Sequence, residues 1–148
     1  MSSGILRKYA PDDVAVTVGT RLVTGVHEGS FVEVERDVET STLDIGSDGE
    51  ATLTISPNQA GKVKITLQQS SPLNDYFSSL WAAIQQKDTT TGVQPIRVKD
   101  SNGTTVCSGL QSIPQKPAKV SFADKPEGRE WTFIVPYLDI TVGGESSV

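Results

Sequence analysis

Ser71-Pro72-Leu73-Asn74-Asp75-Tyr76-Phe77-Ser78-Ser79-Leu80-Trp81-Ala82-Ala83-Ile84-Gln85-Gln86 is the stretch of this 148-residue chain whose apolar spacing is helical. Leu73, Tyr76, Phe77, Leu80 and Ile84 recur at three- and four-residue steps, which stacks them on one face of a 3.6-residue helix, and Trp81 and Ala83 widen that face. Ser71 has the chemistry of an N-cap, Pro72 suits the first helical position because it has no N–H to orphan, and Asp75 puts negative charge near the positive end of the dipole. Lys87 stands at the other end. A lone helix of this length is marginal in water, so the stripe must lie on a sheet. The stretch therefore predicts a mainly β, antiparallel sandwich or partly open barrel with one helix, about residues 72–86, packed on it.

The rest of the chain reads as strand and turn. Its length suits one domain with a single core, and Val, Ile and Thr together make up about a quarter of it, a composition that leans toward strands. We expect a single domain over residues 1–148, with an N-terminal arm at 1–11 and a fraying tail at 143–148. Val14, Val16 and Val18 alternate with Ala15 and Thr17, and Gly19-Thr20 turns that strand back into Arg21–Thr24. Phe31–Arg36 puts Val32 and Val34 on one face, Glu33 and Glu35 on the other.

Residues 37–50 form a long polar excursion anchored by Val38, Leu43 and Ile45 and carrying the turn pair Asp48-Gly49. It is either a partner-contacting loop or a hairpin extension of its neighbours. Ala51, Leu53 and Ile55, then Val63, Ile65 and Leu67, give the two clearest alternations in the chain and are expected to be core strands. Further on, Asp88–Gly92 reads as a linker, Gln94–Lys99 as a strand leading to the hairpin pair Asn102-Gly103, Thr104–Cys107 as its return, and Pro114 and Pro117 as brackets of a connection. Lys119–Phe122 reads as a short strand, Trp131, Phe133 and Val135 share one strand face, and Pro136, which cannot donate to a ladder, marks an edge, a bulge or the point where the last strand peels away.

The chemistry is sparse. A formal charge of −5 and a pI near 4.8 argue against holding nucleic acid by phosphate neutralisation. Cys107 is the one cysteine, so no internal disulfide or Cys-based metal framework exists, and the lone His27 lacks the second histidine of a zinc-protease pattern. No Gly-x-Ser-x-Gly elbow or phosphate-cradling glycine loop occurs. The sequence predicts no enzyme, no catalytic residue, no cofactor and no metal. Arg7 and Lys8 precede no apolar h-region and no run approaches a membrane span, so no membrane partner is expected. The closely spaced Glu33, Glu35, Asp37 and Glu39 read as a solvated acidic surface.

Several segments in order resemble the inner tail tube proteins of contractile-tailed bacteriophages. They are Tyr9-Ala10-Pro11, Val14-Ala15-Val16-Thr17-Val18-Gly19, Leu22-Val23-Thr24-Gly25 and Phe31-Val32-Glu33-Val34-Glu35-Arg36-Asp37. The resemblance continues through Gly61-Lys62-Val63-Lys64-Ile65-Thr66-Leu67-Gln68-Gln69-Ser70-Ser71-Pro72-Leu73-Asn74, Val98-Lys99-Asp100-Ser101-Asn102-Gly103-Thr104-Thr105, Gln115-Lys116-Pro117 and Gly128-Arg129-Glu130-Trp131. It implies a virion protein made in the host bacterial cytoplasm, forming hexameric rings that stack into a tube through which DNA leaves the capsid. Sheath, baseplate and tail terminator proteins would be its partners. An acidic wall would let DNA slide without sticking.

On that reading Glu33 and Glu35 face the lumen. Asp37, Val38, Glu39, Leu43, Asp44, Ile45 and Asp48, with Ile5, Leu6 and Tyr9 of the arm, contact neighbouring subunits or rings. Ile5, Leu6 and Tyr9 dock either on their own domain or on a neighbour. The rival readings are a monomeric baseplate or decoration module and a secreted ring protein of a related contractile injection system.

Overall fold

A computed structural model describes residues 6, 14–24 and 31–145. The strands are β1 (Val14–Val18), β2 (Arg21–Leu22), β3 (Val32–Arg36), β4 (Ser41–Ile45), β5 (Ala51–Ile55), β6 (Gly61–Leu67), β7 (Gln94–Asp100), β8 (Val106–Lys116), β9 (Arg129–Val135) and β10 (Asp139–Thr141). Between β6 and β7 lie the helices α1 (Leu73–Gln85) and α2 (Thr89–Gly92). Eight strands form one antiparallel sheet in the order β2-β1-β7-β8-β9-β6-β3, with β10 added beside β8. The long β8 joins the two halves: Val106–Ser108 pair with β10, whereas Ile113–Lys116 pair with β9. The sheet ends in β2 and β3 and does not close into a barrel.

Alternation decides the core. Val16 and Val18 of β1, Ile96 and Val98 of β7, Val63, Ile65 and Leu67 of β6, and Trp131, Phe133 and Val135 of β9 all join one buried cluster. Each large side chain in it is worth roughly 1.5–3 kcal/mol of burial. The helix closes this cluster with Leu73, Phe77 and Leu80. Phe77 meets Trp131 and Phe133 edge-on at centroid distances of 5.7 and 5.0 Å, a favoured aromatic geometry.

The helix begins one residue later than the spacing suggests, yet Ser71 still serves it. Its Oγ accepts from the Leu73 N–H at 3.3 Å and its carbonyl accepts from the Asn74 N–H at 3.2 Å. Asn74 adds an anchor that periodicity does not disclose, since its Oδ1 accepts from Trp131 Nε1 at 3.0 Å. Lys87 lies outside the helix, with a left-handed φ of 62° and its N–H on the Ile84 carbonyl, so it ends the helix rather than complementing the dipole from its last turn.

Several expectations are corrected. Asp88–Gly92 is no plain linker: Asp88 accepts from the Thr91 N–H and caps the four-residue α2, so the fold has a second, short helix. Pro114 does not bracket a connection but sits buried inside β8, where the ladder register shifts before Lys116 and a missing N–H is tolerated. Lys119–Phe122 forms no strand. The tail is held further than expected, because Thr104 N–H reaches the Gly144 carbonyl and Glu145 bridges Gly103; residues 146–148 lie outside the described range. His27, with residues 25–30, lies outside it too.

The largest correction concerns Ala51–Ile55. It is not a core strand: every residue of β5, and every residue of its partner β4, is exposed.

Candidate assembly interface

The segment between β3 and β6 folds on itself. β4 and β5 pair only with each other, placing Ser41 opposite Ile55, Leu43 opposite Leu53 and Ile45 opposite Ala51. Cross-strand partners lie on the same face and residues two apart share it. One face of the hairpin therefore collects Leu43, Ile45, Ala51, Leu53 and Ile55 with Ser41 at its edge, and the other collects Thr42, Asp44, Thr52 and Thr54. The apolar face is bare: Leu43, Ile45, Leu53 and Ile55 are 60, 67, 62 and 67 % exposed.

The hairpin has a built tip and a built root. At the tip the Gly46 N–H donates to the Glu50 carbonyl at 2.8 Å, Asp48 Oδ1 accepts from the Glu50 N–H at 3.1 Å, and Gly49 takes φ 86°, a conformation glycine adopts without cost. At the root the Asp37 N–H meets the Ala60 carbonyl at 3.0 Å and the Ser56 N–H meets the Thr40 carbonyl at 2.7 Å. Arg36 braces this point from below, with Nη1 on the Gln59 carbonyl and Nη2 on the Leu138 carbonyl, both at 2.9 Å. A two-stranded hairpin with a bare apolar face gains little in water on its own. An exposed apolar face of this kind, rimmed by polar residues, is a candidate interaction surface.

Most of the interface residues expected from sequence lie on this hairpin or its root. Asp37, Val38 and Glu39 are exposed at the root, Leu43 and Ile45 lie on the apolar face, Asp44 on the polar face and Asp48 at the tip. Sequence reasoning missed Leu53 and Ile55, which it assigned to the core. No local signal separates them from a core strand: Leu43-x-Ile45 and Leu53-x-Ile55 repeat in the same order on either side of the turn, and only the pairing of Leu43 with Leu53 shows that they share a face. Of the arm residues, Leu6 is 68 % exposed, while Ile5 and Tyr9 lie outside the described range. Glu33 and Glu35 are exposed on β3, but register sets Lys64 and Lys62 directly across from them. That strand face is mixed in charge, which the sequence of β3 alone does not reveal.

Two further exposed apolar groups stand apart. Leu110 and Tyr137 rim a cavity of about 720 Å³ that also reaches Gln59 and Asp139. Val120 and Phe122 rim another, of about 380 Å³, between α1 and the irregular chain before β9, with Trp131 and Arg129 on its lining. Arg129 is buried beneath Phe122, whose ring centre lies 5.6 Å from its guanidinium carbon. Its Nη2 donates to the Ser121 carbonyl at 3.1 Å and its buried Nη1 has no hydrogen-bond partner.

Among the described residues no group of three His, Cys, Asp or Glu is placed to hold a metal, and burial pushes the Cys107 thiol up, away from its nucleophilic form. No helix among them is long and apolar enough to cross a membrane.

Residues 11–143 match the family model for the bacteriophage PhiTE tail tube protein. The chain belongs to that tail tube family. It is a structural protein of the phage tail. A curated relative, Structural protein ORF10 of Pseudomonas phage KPP10, is 24 % identical over 152 residues, spanning 99 % of this chain and 88 % of the relative. Among solved structures, the tube-terminating cap of the anti-feeding prophage has a TM-score of 0.59 at 12 % identity, covering 95 % of this chain and 99 % of that one. The sheath/tube terminator of the extracellular contractile injection system PVC also scores 0.59, at 13 % identity and 91 and 97 % coverage. The sheath-tube complex of that system scores 0.51 at 13 % identity, covering 86 % of this chain and 87 % of that one. These structural likenesses establish that the tail tube family member shares their fold.

Proposed function

We propose that copies of this chain assemble as hexameric rings that stack into the inner tube of a contractile phage tail, with the β4–β5 hairpin bridging subunits or rings. The observation that carries this reading is the hairpin: a member of a tail tube family projects a strand pair whose four aliphatic side chains are about two-thirds exposed. The open sheet edges at β2 and β3 support it, since edges that invite aggregation in a monomer become joints in a ring. Sheath, baseplate and terminator proteins are the partners such a tube meets, and its task is structural rather than catalytic.

The bore carries DNA without holding it. A net charge of −5 per copy repels phosphate at every sequence equally. Glu33 and Glu35 face the lumen in this reading, where they offset Lys62 and Lys64. Replacing both glutamates by lysine leaves four cations on that face and slows DNA ejection while tubes still form; unchanged ejection removes these residues from the bore.

Negative-stain microscopy of the purified chain tests the assembly. Rings and tubes are expected, and deleting Leu43–Asp48 leaves a folded subunit that does not stack. A monomer at every concentration overturns the reading in favour of a baseplate or decoration module. Single rings that never elongate point instead to a terminating role, the one named for two of the structural neighbours.

A further inference from the structure

We propose that the hairpin tip of one copy seats in the groove between α1 and residues 117–128 of the next copy, with a tip carboxylate, Asp48 or Glu50, on Nη1 of Arg129. This rests on the assembly reading above and specifies its receiving surface.

Charge selects the groove. Residues 37–61 hold five carboxylates, Asp37, Glu39, Asp44, Asp48 and Glu50, and no Lys, Arg or His. A surface that receives this segment must be apolar and cationic together. The Val120–Phe122 groove is both: Pro117, Ala118, Val120, Phe122 and Trp131 make its wall mostly apolar beside Gln69, Asn74 and Ser78, Arg129 lines it, and the adjoining depression adds Lys116 and Lys119 against Glu127 and Glu130. The Leu110–Tyr137 cavity is apolar as well, but its one charged lining residue is Asp139.

Position selects it again. In the β6–β9 ladder Gly61 pairs with Val135 at the hairpin end and Leu67 pairs with Arg129 at the other. Six residue steps of strand separate the two ends by ~20 Å. A projection at one end and its receptor at the other repeat head to tail, which generates an open stack. The Leu110–Tyr137 cavity includes Gln59, beside the hairpin's own root, and offers no such repeat.

The guanidinium supplies the third reason. A buried N–H left without an acceptor is costly, and a carboxylate is its strongest partner. Phe122 lies over the Arg129 guanidinium and is itself 79 % exposed; in the proposed contact its ring turns aside and Nη1 meets the groove. The tip carboxylate then completes the set of bonds that Ser121 begins.

Thiol cross-linking under assembly conditions tests the docking. A short bis-maleimide is applied to the full chain carrying Ser47→Cys with Ser121→Cys, and separately Ser47→Cys with Gln111→Cys; the native Cys107 is buried. A ladder of linked copies is expected from the first pair and none from the second. A ladder only from the second pair, or from neither while microscopy still shows tubes, overturns this docking and leaves the tube reading standing. Absence of any assembly by the unmodified chain removes both. Asp48→Asn with Glu50→Gln, which alters only the exposed tip, raises the concentration needed for assembly at least tenfold and weakens its salt dependence. Unchanged assembly by that variant overturns the contact with Arg129.

Discussion

β5 and β6 are written in nearly the same alphabet and meet opposite fates. Ala51, Leu53 and Ile55 alternate with threonines; Val63, Ile65 and Leu67 alternate with lysines and a threonine. In β6 the apolar set is 0–1 % exposed, whereas Leu53 and Ile55 of β5 are 62 and 67 % exposed. The difference lies in the company each strand keeps. β6 runs between β3 and β9 over the core cluster that α1 closes, while β5 has β4 and nothing beyond it. Alternation thus fixes which side chains share a face, and pairing fixes whether the same chain covers that face. In the assembly proposed above, another copy covers the face that β5 leaves bare.

The contrast can be broken or sharpened at four points. Phe133→Ala, at the centre of the covered face, should cost ~3–5 kcal/mol in urea unfolding, whereas Leu53→Ala should change subunit stability by less than ~0.5 kcal/mol. Comparable losses from the two would erase the distinction. Leu43→Asp combined with Leu53→Asp should spare the subunit yet remove ~2–4 kcal/mol from each contact, raising the assembly concentration roughly 30- to 1,000-fold in light scattering.

Glycines extend the comparison to the backbone. A Cβ on Gly61 would strike the Leu138 side chain and approach the Glu35 carbonyl oxygen to 2.6 Å, so Gly61→Ala should lower the melting temperature with a loss of ~1–3 kcal/mol. A Cβ on Gly49 meets nothing within 4 Å, and the strain of its φ of 86° falls on the hairpin alone. Gly49→Ala should therefore loosen the tip without moving global stability.

The smallest effect concerns Tyr76. Burial raises its phenol above the ordinary value, and the nearby Arg21 charge opposes part of that rise. The folded state then holds this proton more tightly than the unfolded chain does. Its contribution is complete below pH ~10 and is lost as pH climbs through the raised folded value. Tyr76→Phe, which deletes the 3.2 Å hydrogen bond to the Val18 carbonyl, should cost ~0.5–1.5 kcal/mol at neutral pH and lose stability less steeply above pH ~10.

What the sequence made legible follows the range of each signal. The stripe of Leu73, Phe77 and Leu80, the alternation of β1, β6 and β9 and the turns at Gly19 and Asp48-Gly49 are local, and each is where the residues place it. Non-local facts were out of reach. Nothing near Pro114 says that its missing N–H falls at a register shift, and nothing near Leu53 says that no third strand lies beyond it. The proposed interface was half visible for the same reason: its polar excursion stands out in residues 37–50, but its apolar face needs the pairing of Leu43 with Leu53. Lys62 and Lys64 facing Glu35 and Glu33 belong to the same class of fact, since 27 or more residues separate each pair in the chain.

Amide hydrogen exchange, followed segment by segment in dilute subunit and in assembled protein, tests the central claim most directly. The amides of 41–55 should exchange freely in the subunit and slow at least 100-fold on assembly, while those of β6 and β9 stay protected in both. Equal protection of the hairpin in the two states would show that its apolar face is not what assembly covers.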